Sequence, residues 1–365
     1  MFARLAPLLK LLAAVFLALL LIDIALFRSG AYARLIKLDS TAGSVVGAER
    51  VIKRYRDPAR KNVLVLGSSQ IGEGLSASLA DATAQRPDLH FVNGSIAGTT
   101  PRVWDYLLRA VDPNADRFAA IALMAEYDTT WNWQVFDNYP LDVSYTLPLL
   151  RTRDIREFPD SFSNTTLRER ARRAIILPAQ SLHEDLRDLL AHPLRRLHEL
   201  RKVRPAWLDA VGKYAGREGV VPDLTLDPVS GMPTNWGEHE TEWKPKLETY
   251  LRDLRKKAPE QTQIANQNYE HFWIGRIAQR YRAHGIPVIV FSMARGPWKA
   301  ELLPAPTPNP ALIKLRDAGL ITALPGDAFV ELEKPQFFFD TLHLNATGRE
   351  RFSKMFAARV APLVH

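Results

Sequence analysis

The sequence contains no cysteine, and this absence excludes several classes of site. Without thiols the chain forms neither disulfides nor thiolate metal centres, and it has no cysteine nucleophile.

Long runs of one charge sign are also missing, because 48 Lys and Arg are interspersed with 40 Asp and Glu. The net charge of +8 suggests an acidic partner, but basic residues spread along the whole chain argue against nucleic acid. We also expect no metal, since Pro193 interrupts the helical spacing of His183, His192 and His198.

The most apolar part of the chain is its N-terminus. Residues 5–27 are interrupted only by Lys10 and Asp23, and a helix of this extent is roughly 30 Å long, enough to cross a bilayer. We expect an uncleaved anchor in the inner (cytoplasmic) membrane. The alternatives are a signal peptide cleaved after the A-x-A of Ala31 and Ala33, or a buried helix. Basic residues on both sides leave the orientation undecided by charge. We place the following domain outside the cytoplasm, in the periplasm.

Short apolar runs alternate with helical patterns along the rest of the chain. Strands are predicted at 62–66, 90–96, 118–125 and 287–293, with a weaker one at 321–324. This alternation predicts an α/β fold, with helices on both faces of a mainly parallel sheet of about five strands. We expect an anchor at 1–37, a connector at 38–61 and the α/β domain at 62–365. A helical insertion at about 131–262 interrupts this domain and is expected to line the ligand edge.

Two short motifs carry the residues of serine chemistry. Gly67, Ser68, Ser69 and Gln70 follow the first strand directly, where a tight turn projects a serine from the sheet edge. Asp340 stands three residues before His343, a spacing that lets the carboxylate orient the imidazole. Taken singly, each motif is also typical of an ordinary turn or helix cap. The absence of cysteine leaves serine as the strongest candidate nucleophile.

Three blocks together resemble the SGNH (GDSL-like) hydrolase superfamily. They are G-S-S-Q at 67–70, V-N-G-S-I-A-G-T-T at 92–100 and D-T-L-H-L-N-A-T-G at 340–348. The resemblance implies that Ser69 is the nucleophile, His343 the general base and Asp340 its orienting acid. It also implies that the backbone amides of Ser69 and Gly98 bind the oxyanion.

The third block of the family is altered. Residues 125–128 read A-E-Y-D, so the asparagine of the family's G-x-N-D is absent. Losing one oxyanion donor costs on the order of 10²–10³ in rate. Substitute donors are the Tyr127 hydroxyl and the amides of Asn93 or Gln70.

The chain resembles membrane-anchored members of this superfamily, which include the proteins of D-alanine transfer to teichoic acids and of alginate O-acetylation. The resemblance implies a cofactor-independent serine esterase or O-acyltransferase acting on ester-linked acyl groups of a cell-surface polysaccharide. A membrane-bound O-acyltransferase and the lipid bilayer are the implied partners. We expect Arg295 and Trp131 to contact the substrate. The alternative is a non-catalytic glycan-binding or scaffold protein of an acyltransferase complex.

Overall fold

The structure, a computed structural model, describes residues 2–125, 129–132, 134–306 and 309–365. It divides into two compact units. Unit 1 comprises Met1–Gly47 and Pro140–Asp209, and unit 2 comprises Ala48–Tyr139 and Ala210–His365. The central part of the predicted insertion, 140–209, therefore groups with the N-terminal residues, and only its two flanks belong to the unit that contains the sheet.

The elements of the described residues follow in chain order. The strands are β1 Lys61–Leu66, β2 Leu89–Asn93, β3 Ala120–Met124, β4 Val288–Phe291 and β5 Thr322–Ala323. The α-helices are α1 Phe2–Asp23, α2 Thr41–Tyr55, α3 Ser69–Gly74, α4 Ala77–Thr83, α5 Pro101–Val111, α6 Leu141–Thr146, α7 Glu157–Asp160, α8 Thr165–Ile176, α9 Pro178–Ser181, α10 His183–Ala191, α11 Pro193–His198, α12 Arg204–Gly212, α13 Glu240–Asp253, α14 Glu260–Arg282, α15 Lys299–Leu302, α16 Pro310–Asp317 and α17 Ala346–Val360. Short 3-10 turns lie at Tyr32–Arg34, Thr129–Trp131, Phe136–Asn138, Thr152–Ile155, Gly237–His239, Val330–Leu332, Pro335–Phe337 and Ala361–Leu363, and π-helical turns at Ile24–Arg28 and Glu199–Val203.

Unit 2 contains the predicted parallel sheet, which confirms the α/β fold. The strand order is β2-β1-β3-β4-β5, and every pairing is parallel. Residues 63–66 of β1 are completely buried, as expected for a strand covered on both faces. The order reverses between β1 and β3, and in open α/β sheets ligands bind at such a reversal, beyond the carboxyl ends of the strands. The topology thus predicts a ligand site next to residues 67–70.

An aromatic cluster joins the last helix to the sheet. Phe291 of β4 packs against Phe356 of α17 with ring centroids 4.8 Å apart, and Phe329 packs against Phe352 at 4.7 Å. These side chains are almost completely buried. Burying a phenylalanine contributes roughly 1.5–3 kcal/mol, so the cluster fixes α17, and with it the chain just before α17, against the sheet.

Unit 1 carries the apolar helix and a buried polar cluster. Within the described part of the chain, one stretch, Leu9–Phe27, is long and apolar enough to cross a membrane. A few residues later, Tyr32 is 1% exposed and its hydroxyl donates a 2.6 Å hydrogen bond to Asp185. Asp185 also pairs with the buried Arg196, whose guanidinium donates to the carbonyl oxygen of Leu35 at 2.7 Å. Residues 32–35 are therefore integral to the core of unit 1.

We expect the mature protein to retain Tyr32, because cleavage after Ala33 would remove this buried side chain and leave Asp185 without its hydroxyl donor. Mass spectrometry of N-terminal peptides from membrane-purified protein measures this directly, and a mature chain beginning at Arg34 would contradict it. As a matched pair, Tyr32→Ala should destabilise unit 1 by about 3–5 kcal/mol. Tyr32→Phe, which keeps the ring, should cost about 1–3 kcal/mol.

Candidate active site

A tight turn at the carboxyl end of β1 places Ser69. The strand ends at Leu66, and α3 begins at Ser69 after only Gly67 and Ser68. A Cβ atom on Gly67 would lie 2.3 Å from Cγ1 of the buried Ile71, so the turn has room only for glycine. The chain consequently reverses at the sheet edge, and Ser69 is half-buried there.

The Asp340 carboxylate organises the turn that carries His343. Its Oδ1 accepts hydrogen bonds from the backbone N–H groups of Leu342 at 2.8 Å and His343 at 2.7 Å. Its Oδ2 lies 2.8 Å from Nδ1 of the His343 ring. Two residues later, the Asn345 side chain accepts a hydrogen bond from the amide of Gly348 and caps α17. One carboxylate thus fixes both the backbone of the turn and the orientation of the imidazole.

A hydrogen bond joins the turn of Ser69 to the turn of His343. Nε2 of His343 lies 2.8 Å from Oγ of Ser69, although the two residues are 274 positions apart. Together with the bond to Asp340, this completes a Ser-His-Asp chain of the kind that activates a serine hydroxyl.

The surroundings of Asp340 determine the protonation state of its carboxyl group. Partial burial raises the pKa of its carboxyl, but hydrogen bonds from the His343 ring and from the amides of His343 and Leu342 outweigh burial. The net pKa therefore lies below its ordinary value of 3.8. An ionised Asp340 accepts a hydrogen bond from Nδ1–H of His343, which leaves the His343 Nε2 lone pair directed at the Ser69 hydroxyl.

The backbone amides expected to bind an oxyanion lie in two different turns. Gly98 has a φ of +69°, a conformation that glycine adopts without strain. Within the described residues, neither the Ser69 amide nor the Gly98 amide donates a hydrogen bond to the protein. Both N–H groups are therefore available to a ligand oxygen.

Of the three predicted substitute donors, Gln70 stays a prediction, and the other two have different outcomes. Tyr127 lies outside the described residues. The side-chain amide of Asn93 donates to the carbonyl oxygens of Ile71 at 3.2 Å and Leu75 at 3.0 Å, while its oxygen accepts from the amide of Ser95. Asn93 therefore holds α3 in place, and its side-chain amide is not available to an oxyanion.

Arg295 is engaged within the protein. Its Nε and Nη2 each donate a 2.8 Å hydrogen bond to Glu333, one to each carboxylate oxygen, and Glu333 is only 2% exposed. A substrate anion would have to displace this buried carboxylate, so the arrangement disfavours the expected substrate contact. The pair instead fastens the loop after β4, where a Cβ on Gly296 would lie 2.6 Å from the carbonyl oxygen of Thr341. Arg295 thereby fixes the loop that contacts the turn of His343.

Trp131 lies in a 3-10 turn beyond β3. The ammonium of Lys257 lies 5.9 Å from the centre of its ring, and its buried indole nitrogen has no acceptor within the described residues. No hydrogen bond or ring contact within these residues joins Trp131 to the Ser69 and His343 turns. Its expected substrate contact stays a prediction.

Several side chains beside the triad were missed from the sequence. The Phe339 ring is stacked on the His343 imidazole at 5.7 Å, and the Arg217 guanidinium lies 5.1 Å from the centre of the Phe339 ring. Arg217 also lies 3.4 Å from Glu73, which accepts a hydrogen bond from the Tyr214 hydroxyl. The one local feature of the sequence that points to these aromatic contacts is the F-F-F run at 337–339, just before Asp340.

The irregular segment 216–221 lies along the His343 turn. The Ala346 amide donates to the carbonyl oxygen of Arg217 at 2.8 Å, and the Asn345 side chain donates to that of Gly219 at 2.9 Å. Gly216 has a φ of +101°, and a Cβ there would lie 2.9 Å from the Cα of Ala346. A flank of the predicted insertion therefore borders the site, as expected from its position in the chain.

Arg349 couples the two helices that adjoin the candidate site, α17 and α3. It projects from α17, and its Nη1 donates to the carbonyl oxygens of Gly72 at 2.8 Å and Glu73 at 2.7 Å near the end of α3. Its guanidinium also lies 4.9 Å from the centre of the Tyr214 ring. The helix that follows His343 thus holds the helix that begins at Ser69.

Metal-binding clusters do not occur in the described part of the chain, where no three His, Asp or Glu side chains lie close enough together to hold an ion.

Comparisons with known proteins give no assignment, since no protein-family model and no curated protein matches the chain.

The lowered pKa of Asp340 predicts a pH-dependent contribution to stability. Because the folded-state pKa lies below the ordinary 3.8, the stabilisation is fully present above about pH 4 and is lost as the pH falls further. The difference in thermal midpoint between the wild type and Asp340→Asn should therefore shrink as the pH is lowered from 7 to 3. An equal difference at every pH would contradict this, and Asp327→Asn, at an exposed carboxylate, is the matched control.

Proposed function

We propose that this protein is a serine esterase or O-acyltransferase of SGNH type that acts on ester-linked acyl groups of a cell-envelope polysaccharide. The observation that carries the proposal is the hydrogen-bonded chain from Asp340 through His343 to Ser69 at the carboxyl edge of the sheet. A scaffold protein has no need of this chain, which joins the turn of Asp340 and His343 to Ser69 at the start of α3. The position of Ser69 beside the reversal of strand order also favours a ligand site.

The first half-reaction forms an acyl-enzyme. Ser69 Oγ attacks the carbonyl carbon of the acyl ester while its proton passes to Nε2 of His343. The tetrahedral oxyanion accepts hydrogen bonds from the amides of Ser69 and Gly98. The carbon–oxygen bond to the alcohol then breaks, and the departing alkoxide takes the proton from His343. Asp340 stays ionised and stabilises the imidazolium in between.

The second half-reaction releases the acyl group. A water molecule or a sugar hydroxyl gives its proton to Nε2 of His343 and attacks the acyl carbon, and Ser69 leaves with that proton. Water gives hydrolysis, and a sugar hydroxyl gives transfer. Each step uses only groups of the protein and its substrates, so the chemistry requires no cofactor.

We place the protein at the inner membrane, with unit 2 outside the cytoplasm and a membrane-bound O-acyltransferase as partner. The apolar stretch Leu9–Phe27 supports the attachment, because it is long enough to span the bilayer and its residues 9–22 are exposed. The burial of Tyr32 supports its retention in the mature chain. An extracytoplasmic domain would meet acylated cell-surface glycans directly.

A fluorophosphonate probe should label the full-length protein at Ser69, because the probe traps a serine activated by a neighbouring base. Ser69→Ala should abolish labelling, and His343→Ala should reduce its rate by about 10³-fold or more, since the hydroxyl then has no base. Labelling is measured by gel fluorescence and by mass spectrometry of the adduct.

Ser68→Ala is the matched control. Ser68 is adjacent to Ser69 and makes no side-chain capping hydrogen bond, so this variant should label like the wild type. Equal labelling of the wild type and Ser69→Ala would refute the assignment of the nucleophile. Loss of labelling in Ser68→Ala alone would transfer the assignment to Ser68.

A further inference from the structure

Unit 1 encloses a cavity of about 480 Å³ that the proposed chemistry does not use. This volume falls within the roughly 300–1,000 Å³ of typical small-molecule sites. Apolar side chains form most of its wall, among them Phe27, Ile36, Leu150 and Ile175. A cavity lined in this way suits an aliphatic chain.

The charged residues of the cavity lining are two arginines, Arg151 and Arg153, and no acidic residue lines it. The Arg151 guanidinium donates to the carbonyl oxygens of Pro148 and Leu150, at 3.2 Å and 2.9 Å, and these bonds hold it at the cavity wall. Within the described residues, neither guanidinium has a carboxylate partner. Two exposed cations beside an apolar cavity are complementary to an anionic group on an apolar tail.

The position of the cavity indicates where such a ligand comes from. Phe27, which forms part of its wall, is the last residue of the apolar stretch Leu9–Phe27. If that stretch spans the bilayer, as proposed above, the cavity lies where the chain leaves the hydrocarbon. Lipid headgroups and the ends of acyl chains are found at that level.

The composition of unit 1 also matches an anionic membrane surface. Unit 1 has 18 Lys and Arg against 12 Asp and Glu, a net charge of +6, whereas the larger unit 2 has 30 against 28, a net charge of +2. Unit 1 further exposes apolar side chains outside α1, including Leu194 at 81%, Leu190 at 73% and Leu177 at 50%. Basic residues combined with exposed leucines are typical of surfaces that lie in the membrane interface.

We propose that unit 1 binds one anionic phospholipid of the membrane. The phosphate lies between Arg151 and Arg153, and an acyl chain enters the cavity against Phe27, Leu150 and Ile175. This inference rests on the proposed membrane attachment and is independent of the serine chemistry.

The test uses the full-length protein in lipid nanodiscs that contain a trace of phosphatidylglycerol with a photoreactive diazirine on its acyl chain. After irradiation, mass spectrometry locates the lipid adducts. Adducts should concentrate on the cavity segments 147–153 and 174–178. A phosphatidylcholine probe with the same diazirine should give at least tenfold fewer adducts there. Millimolar inorganic phosphate should leave the adducts unchanged, whereas their loss would indicate a site for free phosphate and overturn the proposal.

Two double variants distinguish lipid binding in the cavity from general electrostatic attraction of unit 1 to the anionic membrane surface. The double variant Arg151→Gln/Arg153→Gln should lower the cavity adducts by about tenfold or more, since it removes both cations that contact the phosphate in this proposal. Arg187→Gln/Arg201→Gln removes the same charge from exposed positions of unit 1 outside the cavity and should leave the adducts unchanged. Ala33→Phe, which narrows the cavity without changing charge, should also lower them.

Equal loss of adducts in both double variants, equal labelling by the neutral probe, or adducts confined to other surfaces would also overturn the proposal. A protein that enters the nanodiscs without acquiring cavity adducts overturns the lipid site alone. A protein that fails to enter nanodiscs overturns the membrane attachment as well. Fluorophosphonate labelling of the same samples reports separately on the serine site.

Discussion

The hydrogen bond between Ser69 and His343 depends on two helices being held at a fixed separation. Ser69 begins α3 directly after the first strand of the sheet, and His343 lies just before the last helix, α17. A shift of about 1 Å would break this bond, and the unit opposes such a shift in two places. The aromatic cluster packs α17 on the sheet, and Arg349 ties α17 to the end of α3. The reactive geometry is therefore a consequence of packing across the whole sheet unit.

The two units differ in the interactions that their sequences allow. Unit 2 is close to neutral, and its buried strands and aromatic cluster give a rigid platform for the site. Unit 1 holds most of the net positive charge, an exposed apolar helix and a cavity lined by apolar groups and arginines. A rigid platform suits catalysis, and a basic, partly apolar surface suits attachment to a membrane. The two proposals therefore concern different units, and the phospholipid site of unit 1 does not require the serine chemistry of unit 2.

The sequence predicted those features that depend on neighbours along the chain. All five strands lie where apolar runs predicted them, because a strand buried on both faces must be apolar throughout. Asp340 and His343 interact as expected from a spacing of three residues. Ser69 lies at the carboxyl end of β1, as expected from the tight turn at Gly67.

Features that depend on contacts between distant residues were not predictable in this way. The pairing of Arg295 with Glu333 joins positions 38 residues apart, and it changes the interpretation of Arg295 from a substrate contact to a support. The same applies to Arg349, whose helical context gave no sign of its bonds to α3. The grouping of 140–209 with the N-terminal residues is a further example, since a charged helical segment does not specify which surface it packs against.

The central claim is that Ser69 carries the acyl group during turnover, and trapping that intermediate tests it most directly. Full-length protein would be mixed with an activated acetyl ester, quenched in acid within the first turnover and digested for tandem mass spectrometry. The account predicts an acetyl group on Ser69 in the peptide covering residues 62–86, formed in the wild type and absent from His343→Ala. Turnover of the ester with no acyl group on Ser69, or equal acetylation in His343→Ala, would contradict the account.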